Sequence, residues 1–229
     1  RCAANRTEPD ALVHGLGSSF EHGWRSDGWA DLLADAGRAV VPVDILGHGT
    51  AEAPHDPAAY AHLEQSVAAA LPDEPVDAIG FSLGAQLLLR LAAQTPQRFG
   101  RLVVIGVGAN LFRTDPAAAL ADAFEGGAAA DDLTARLFVQ VAQSAGNDPL
   151  AMAACLRRPV EPYTVEEVGR VTCPTLVIIG DHDFAGPPDP LVDALPDAQL
   201  AVLAGVDHFR APREFACIDA ALEFVEAVP

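Results

Sequence analysis

The turn around Ser82 constrains the fold of this chain more than any other feature. The pentapeptide Gly80-Phe81-Ser82-Leu83-Gly84 fits the pattern G-x-S-x-G. Residues 75–79 before it are short, apolar and β-branched, which predicts a strand, and strong helix formers fill 85–94. A serine on such a strand-to-helix turn exposes its hydroxyl, and the flanking glycines leave room for the turn. The pattern predicts a nucleophilic serine; the alternative is an inert serine in a glycine-rich turn.

Strand-like and helix-like segments alternate along most of the chain. Strands are predicted at 11–13, 39–44, 75–79, 101–107, 174–179 and 199–203. Helices are predicted at 27–36, from Asp56-Pro57 onward, and at 85–94, 190–195 and 212–228. Pro42 is awkward inside a strand and predicts a bulge or local distortion. The alternation predicts an α/β fold with a doubly wound, mostly parallel sheet.

The alternation stops in the middle of the chain. From 110 to 169 the pattern is helical, with helices predicted at 117–124, 131–144 and 149–156. We predict that 110–169 is an inserted helical cap over the carboxyl ends of the strands. The core then consists of 1–109 and 170–229.

Composition narrows the possible partners. The chain has 229 residues, a net charge of −18 and no lysine. Such a surface repels phosphate backbones and anionic lipid, so we expect neither nucleic acid nor membrane as a partner. No signal-peptide pattern or membrane-length apolar run is present, which predicts a cytoplasmic protein. The oligomeric state is left open.

The cysteines form no recognisable site. Cys2, Cys155, Cys173 and Cys217 lack the spacing of a metal or redox motif. Cys173 opens a predicted strand and Cys217 lies in a predicted helix, so we expect both to be buried as small hydrophobic residues. The sequence therefore predicts no metal site.

A serine nucleophile needs a base, and the base needs an acid to orient it. Of the seven histidines, His208 lies between the last strand and the last helix, at a strand end where catalytic groups gather. His182 is a weaker rival because it lies between two aspartates in a loop. Those aspartates, Asp181 and Asp183, directly follow an apolar strand, and either is a candidate for the acid.

An oxyanion needs backbone N–H donors that are already in place. Leu83 follows the serine at the predicted helix start and is one expected donor. The glycine-bearing turn at 14–17 follows the first strand, and Leu16 in it is the other expected donor.

Taken together, these motifs resemble the α/β-hydrolase superfamily. The resemblance covers HGLGSS at 14–19, DILGHG at 44–49, GFSLG at 80–84, PTLVIIGDHD at 174–183 and GVDHF at 205–209. It implies that Ser82 is the nucleophile and His208 the base, in the chain order of that family. The family's G-x-x-D pattern falls on Gly180 and Asp183, which makes Asp183 the preferred acid and Asp181 the runner-up.

The same resemblance carries further implications. His48 falls in a turn that is structural in related proteins. The helical segment at 110–169 matches the family's cap. Only about ten residues precede Ala11, so the N-terminal sheet edge is expected to be shortened. Relatives that open epoxides or displace halides use aspartate where this chain has Ser82, which argues against those activities.

The sequence predicts a serine hydrolase that cleaves a small-molecule carboxylic ester through an acyl-enzyme, with no metal or organic cofactor. Five residues are candidates for contact with the substrate: His14, Gly15, Trp24, Phe112 and Phe138. Other hydrolysis on the same three residues (thioester, lactone or carbon–carbon bond) and cofactor-free perhydrolysis are alternatives. A ligand sensor with little turnover is an alternative of another class.

Overall fold

Six parallel strands form one sheet at the centre of the molecule. A computed structural model describes residues 8–113, 117–127 and 132–227. The strands are β1 (Asp10–Val13), β2 (Val40–Val43), β3 (Val76–Phe81), β4 (Phe99–Ile105), β5 (Thr175–Gly180) and β6 (Ala198–Leu203). They lie in the order β2-β1-β3-β4-β5-β6, and every pair is parallel. The predicted doubly wound α/β fold is confirmed.

The described residues contain nine α-helices, of which the first eight lie between strands and the last follows β6. They are α1 (Trp29–Asp35), α2 (Leu63–Ala70), α3 (Leu83–Gln94), α4 (Ala118–Phe124), α5 (Leu133–Ser144), α6 (Pro149–Leu156), α7 (Val165–Val168), α8 (Asp189–Ala194) and α9 (Phe215–Phe224). Side-chain caps define several starts: Asp132 accepts from Ala135 N–H at α5, and Asp148 accepts from Leu150 N–H at α6. The predicted helix start at Asp131 lies outside the described residues.

Two local predictions differ from the structure. The expected helix from Pro57 is split into a 3₁₀ turn (Pro57–Tyr60) and α2, which begins only at Leu63. The expected bulge at Pro42 is absent, because β2 pairs with β1 in continuous register, with Leu12 opposite Pro42. Proline is accommodated there because β2 is the edge strand of the described sheet. No described residue before β1 forms a strand, and residues 1–7 lie outside the description.

Both faces of the central strands β1, β3, β4 and β5 are largely buried, as expected for parallel strands covered by helices. Alternate residues of one strand enter different clusters. In β3, Ala78 belongs to the same core cluster as Leu88 of α3, whereas the next residue, Ile79, belongs to a second cluster with Trp29 of α1 and Ile218 of α9. This alternation explains why the central strands read as continuous apolar runs rather than as alternating patterns.

The helices α4 to α7 between β4 and β5 are called the helical insert here. Its first three helices have a small core of their own around Met152 and Phe124. Arg157 of the segment after α6 pairs with Asp122 and Glu125, both at 2.6 Å, and ties α4 to α6. No described residue between β4 and β5 is in a strand. The cap boundaries at 110 and 169 stay a prediction.

The buried cysteines agree with the sequence analysis. Cys155, Cys173 and Cys217 are free and buried. Burial raises the pKa of the Cys173 thiol to about 11 and that of Cys217 to about 12, so neither is a ready nucleophile. Cys2 lies outside the described residues. No helix in the described ranges is long and apolar enough to cross a membrane.

A buried ion pair holds the amino ends of β1 and β3 together. Arg38 Nε lies 2.7 Å from Asp10 Oδ2, and its Nη2 lies 2.7 Å from Asp77 Oδ2. Arg38 Nη1 also donates to the carbonyl of Val225, which follows α9, at 3.3 Å. The two aspartates are completely buried. A single guanidinium therefore joins two strands and the C-terminal helix.

Removal of that guanidinium is expected to destabilise the fold. Arg38→Ala should lower the free energy of unfolding by about 3–5 kcal/mol, because two buried carboxylates lose their cation. Arg25→Ala removes an exposed pair with Glu21 and should cost less than about 1 kcal/mol. Urea unfolding followed by circular dichroism measures both. Equal losses in the two variants would contradict the structural role of the buried pair.

Candidate active site

Ser82 lies on a strained turn between β3 and α3. Its backbone has φ 50° and ψ −113°, a combination that residues other than glycine rarely adopt. The turn is tight on both sides: a Cβ on Gly80 would lie 2.7 Å from the Ala85 Cα, and a Cβ on Gly84 would collide with the Val13 carbonyl oxygen. The two glycines of G-x-S-x-G are therefore required by packing.

His208 meets Ser82 from the loop after β6. Its Nε2 lies 3.0 Å from Ser82 Oγ, and the histidine is buried. Gly106, which follows β4 with φ +70°, makes room for the ring, because a Cβ there would lie 3.0 Å from the imidazole Cε1. Residues from three strand ends thus meet at one point.

Asp183 completes the hydrogen-bonded chain. Both of its carboxylate oxygens lie 2.9 Å from His208 Nδ1. The Ala185 N–H donates to the same carboxylate at 2.8 Å, and the side chain has no solvent exposure. A carboxylate at Nδ1 holds the proton on that nitrogen and leaves Nε2 free to accept from the Ser82 hydroxyl.

The two rival residues lie elsewhere. Asp181 is 43% exposed and accepts a hydrogen bond from Gly205 N–H at 2.7 Å, so it braces a loop. His182 is 71% exposed. The structure brings together Ser82, His208 and Asp183 and leaves both rivals outside.

Four phenylalanines surround the His208 ring. The ring centroids of Phe184 and Phe81 lie 4.3 and 4.9 Å from it, and those of Phe209 and Phe138 lie 5.6 and 6.4 Å away. They limit the access of water to the ring and lower the local dielectric, which strengthens its hydrogen bonds. No role was predicted for Phe184 or Phe209 from the sequence. Each directly follows a predicted catalytic residue, Asp183 or His208, and this position could have identified them as neighbours of the site.

A cavity of about 80 Å³ opens beside Ser82. Besides Ser82, five of the predicted site residues line it: His14, Gly15, Leu16, Trp24 and Phe138. The remaining lining residues are Ser18, His22, Gly23, Asp27, Phe81, Ser82, Val141, Phe209, Pro212 and Arg213. Phe112 does not line this cavity. It is half-buried against the core cluster on the α3 side of the sheet.

His14 braces the turn after β1. Its Nδ1 lies 2.8 Å from the Gly15 carbonyl, and its Nε2 accepts from the Ile45 N–H at 3.1 Å. Burial lowers the pKa of His14 to about 4, so the ring is neutral. His14 therefore links the ends of β1 and β2 and is not available as a base.

His48 is a second neutral, buried ring, 5.1 Å from His14 between centroids. Burial and the proximity of His14 lower its pKa to about 3. Its Nδ1 lies 3.2 Å from the Leu46 carbonyl, whereas its Nε2 has no hydrogen-bond partner among the residues that the structure describes. His48 makes no hydrogen bond to Ser82, His208 or Asp183.

Asp44 organises the loop at 44–50 next to these rings. It accepts from Phe20 N–H and from the Thr50 N–H and hydroxyl, each at 2.8 Å. Burial alone would raise the pKa of the Asp44 carboxyl, but these hydrogen bonds outweigh it and lower the pKa below its ordinary value. Within the described ranges, no group of three His, Cys, Asp or Glu side chains could hold a metal ion.

The sequence matches the alpha/beta hydrolase family over residues 11–217, and the chain belongs to that family. A stretch of 102 residues is 31% identical to an uncharacterized protein of Mycobacterium tuberculosis. That stretch covers 42% of this chain but only 28% of the relative.

Solved structures of similar fold cover nearly the whole chain. A bromoperoxidase from Bacillus anthracis is 22% identical, with a TM-score of 0.71, over 96% of this chain and 92% of that one. The enol-lactonase from Burkholderia xenovorans is 22% identical, with a TM-score of 0.70, over the same shares. A 2-hydroxy-6-oxo-6-phenylhexa-2,4-dienoate hydrolase from Rhodococcus is 20% identical, with a TM-score of 0.71, over 98% and 92%. At these identities the likeness establishes the fold alone.

The two neutral buried histidines predict an acid-sensitive fold. In the unfolded chain both titrate near 6.5, whereas burial holds their folded pKa values at about 4 for His14 and about 3 for His48. Below pH 6.5 the unfolded state binds more protons, so the free energy of unfolding falls as the pH drops toward 4.

We expect His48→Gln to reduce this slope by about one proton, or up to roughly 1.4 kcal/mol per pH unit. Urea unfolding at pH 7, 6 and 5 measures the slope in both proteins. Identical slopes in wild type and variant would contradict the prediction.

Proposed function

We propose that this protein is a serine hydrolase that cleaves small carboxylic esters through an acyl-enzyme. One observation carries the proposal: Ser82 Oγ, the His208 ring and the Asp183 carboxylate form a continuous hydrogen-bonded chain, with distances of 3.0 and 2.9 Å. A serine hydroxyl is a weak nucleophile until a neighbouring base accepts its proton. The arrangement supplies that base and a buried acid to orient it.

In the first half of the proposed reaction, Ser82 Oγ attacks the ester carbonyl carbon and its proton passes to His208 Nε2. Asp183 keeps its hydrogen bond to Nδ1 and stabilises the imidazolium. His208 then donates the proton from Nε2 to the departing alkoxide, and the carbon–oxygen bond to the alcohol breaks. The acyl group remains on Ser82.

In the second half, His208 accepts a proton from water, which attacks the acyl carbon. The tetrahedral intermediate collapses, Ser82 recovers its proton, and the carboxylic acid leaves. No metal or organic cofactor takes part in this scheme.

Two backbone N–H groups would stabilise the oxyanion of each tetrahedral intermediate. Leu83 is the first residue of α3, and an N–H in the first turn of a helix has no intrahelical acceptor. The positive end of the helix adds to the attraction. Leu16 lies on the cavity wall in the 14–19 turn and would be the second donor.

The cavity favours small acyl groups. Its volume of about 80 Å³ is far below the 300–1,000 Å³ typical of sites for drug-sized ligands. Phe138 of α5, in the helical insert, is part of the cavity wall. Its ring contacts that of Phe209, with centroids 5.0 Å apart. We therefore assign the helical insert the role of a cap that limits substrate size.

Ester hydrolysis tests the proposal directly. Wild type should hydrolyse p-nitrophenyl acetate faster than the butyrate, and the octanoate slowest, with no effect of a chelator. Ser82→Ala should lower kcat by at least about 10³-fold, because no nucleophile remains. Ser66→Ala, a serine on α2 remote from the site, is the matched control and should retain wild-type turnover. Folded wild type that cleaves no ester, or a fully active Ser82→Ala, would refute the proposal.

Truncation of Phe138 should change acyl-chain preference. Phe138→Ala enlarges the cavity on the cap side, so the octanoate-to-acetate ratio of kcat/KM should rise by about tenfold or more. Phe112→Ala is the matched control, because Phe112 packs elsewhere and its loss should leave the ratio unchanged. Kinetics with the same p-nitrophenyl series measure both. An unchanged octanoate-to-acetate ratio in Phe138→Ala would show that Phe138 does not limit the size of the acyl group.

A further inference from the structure

The 14–19 turn, which carries the proposed donor Leu16, rests against the helical insert. Gly17 has φ +79°, and a Cβ built there would lie 3.3 Å from the Ala142 Cβ and 3.4 Å from the Phe138 carbonyl oxygen of α5. Within the turn, Ser18 N–H donates to the Gly15 carbonyl at 3.2 Å. The turn therefore lies between α5, which faces Gly17, and the end of β3, where Phe81 and Ser82 face Gly15.

Asn147, between α5 and α6, holds this turn through its side-chain amide. Its Nδ2 donates to the Gly17 carbonyl at 2.7 Å and to the Ser18 carbonyl at 3.0 Å. Its Oδ1 accepts from Gly49 N–H, in the 44–50 loop, at 2.8 Å. One side chain of the insert therefore joins the turn after β1 to the loop after β2.

The backbone around Asn147 is itself fixed. Its N–H donates to the Ala142 carbonyl at 2.9 Å, which closes the end of α5. The next residue, Asp148, caps α6, and its Oδ2 lies 2.7 Å from Nε2 of the exposed His55. The backbone that carries the Asn147 side chain is therefore fixed between the end of α5 and the start of α6.

The contacts of Asn147 require an amide. The carbonyl oxygens of Gly17 and Ser18 need a hydrogen-bond donor, and the Gly49 N–H needs an acceptor. A side-chain amide supplies both. A carboxylate of the same shape could accept from Gly49 but would bring an anionic oxygen against two carbonyl oxygens. The Asn-to-Asp substitution therefore tests the hydrogen bonds without changing the packing.

We propose that Asn147 is a positioning residue that holds the 14–19 turn in the geometry needed to bind the oxyanion. The inference rests on the proposed hydrolase function and extends it, because it makes the oxyanion site depend on the docked helical insert. Displacement of a catalytic contact by 1 Å can cost about 10²-fold in rate. Loss of an oxyanion donor typically costs about 10²–10³-fold.

The test compares two neighbouring isosteric substitutions, Asn147→Asp and Asp148→Asn. Asn147→Asp should lower kcat for p-nitrophenyl acetate by about tenfold to a hundredfold, with KM within about twofold of wild type. Asp148→Asn loses the charge next to His55 but keeps a residue that caps helices well, so kcat and KM should stay within about twofold. Near-ultraviolet circular dichroism and the melting temperature check that both variants are folded.

A second readout does not depend on ester turnover. A fluorophosphonate should phosphonylate Ser82: the Ser82 Oγ–phosphorus bond forms, the phosphorus–fluorine bond breaks to release fluoride, and the hydroxyl proton passes to His208 Nε2. The phosphoryl oxygen then occupies the oxyanion position. The phosphonylation rate, followed by intact-protein mass, should fall in Asn147→Asp by a factor similar to that of kcat. If wild type reacts with the phosphonate but cleaves no ester, the hydrolase proposal fails, and the phosphonylation rates still decide the role of Asn147.

Three results would overturn the inference. One is a wild-type phosphonylation rate in folded Asn147→Asp. Another is an equal loss in Asp148→Asn, which would assign the effect to docking of the insert in general. The third is a change confined to KM. If Asn147→Asp does not fold, Asn147→Ala, which removes the hydrogen bonds without the repulsion, should show the same kcat effect and is judged by the same criteria.

Discussion

The strained backbone of Ser82 is the constraint on which the rest of the site depends. A conformation such as φ 50°, ψ −113° costs of the order of 1–3 kcal/mol and persists only where the surroundings determine it. Here Gly80 lies against Ala85, and Gly84 lies against the Val13 carbonyl. The close contact with Val13 also brings the start of α3 to the end of β1. The turn that exposes the serine hydroxyl therefore places the first N–H groups of α3 beside the 14–19 turn.

The parallel sheet converts distant positions in the sequence into neighbours. His208 is 126 residues from Ser82 and 25 from Asp183, yet all three lie at the carboxyl edge, after β6, β3 and β5. At the opposite edge, Arg38 joins β1 and β3 through a buried ion pair. At the carboxyl edge, by contrast, the two buried rings His14 and His48 are neutral. These two rings therefore add no charge of their own near the place where an oxyanion would develop.

The sequence could predict features that depend on local patterns. The strand–turn–helix around Ser82, the alternation of elements and the strand-end positions of His208 and Asp183 are all of this kind. Local pattern alone could not choose between Asp181 and Asp183, because both follow β5 and only their three-dimensional contacts differ. Phe112 does not line the cavity, because helical spacing does not tell which neighbour an apolar side chain meets. Asn147 could not be found at all, since it belongs to no motif itself and its partners lie 98 and 130 residues away.

In the proposed mechanism, the helical insert links substrate size to the catalytic geometry through one helix. Phe138 of α5 forms part of the cavity wall, and Ala142, one turn further along the same helix, lies against Gly17. Asn147 closes the end of that helix and holds the carbonyls of the 14–19 turn. An acyl group too large for the cavity would have to displace Phe138 and with it α5. Because the same helix supports the turn, such a substrate would loosen the proposed oxyanion site as it enters, and it would be discriminated against in kcat as well as in binding.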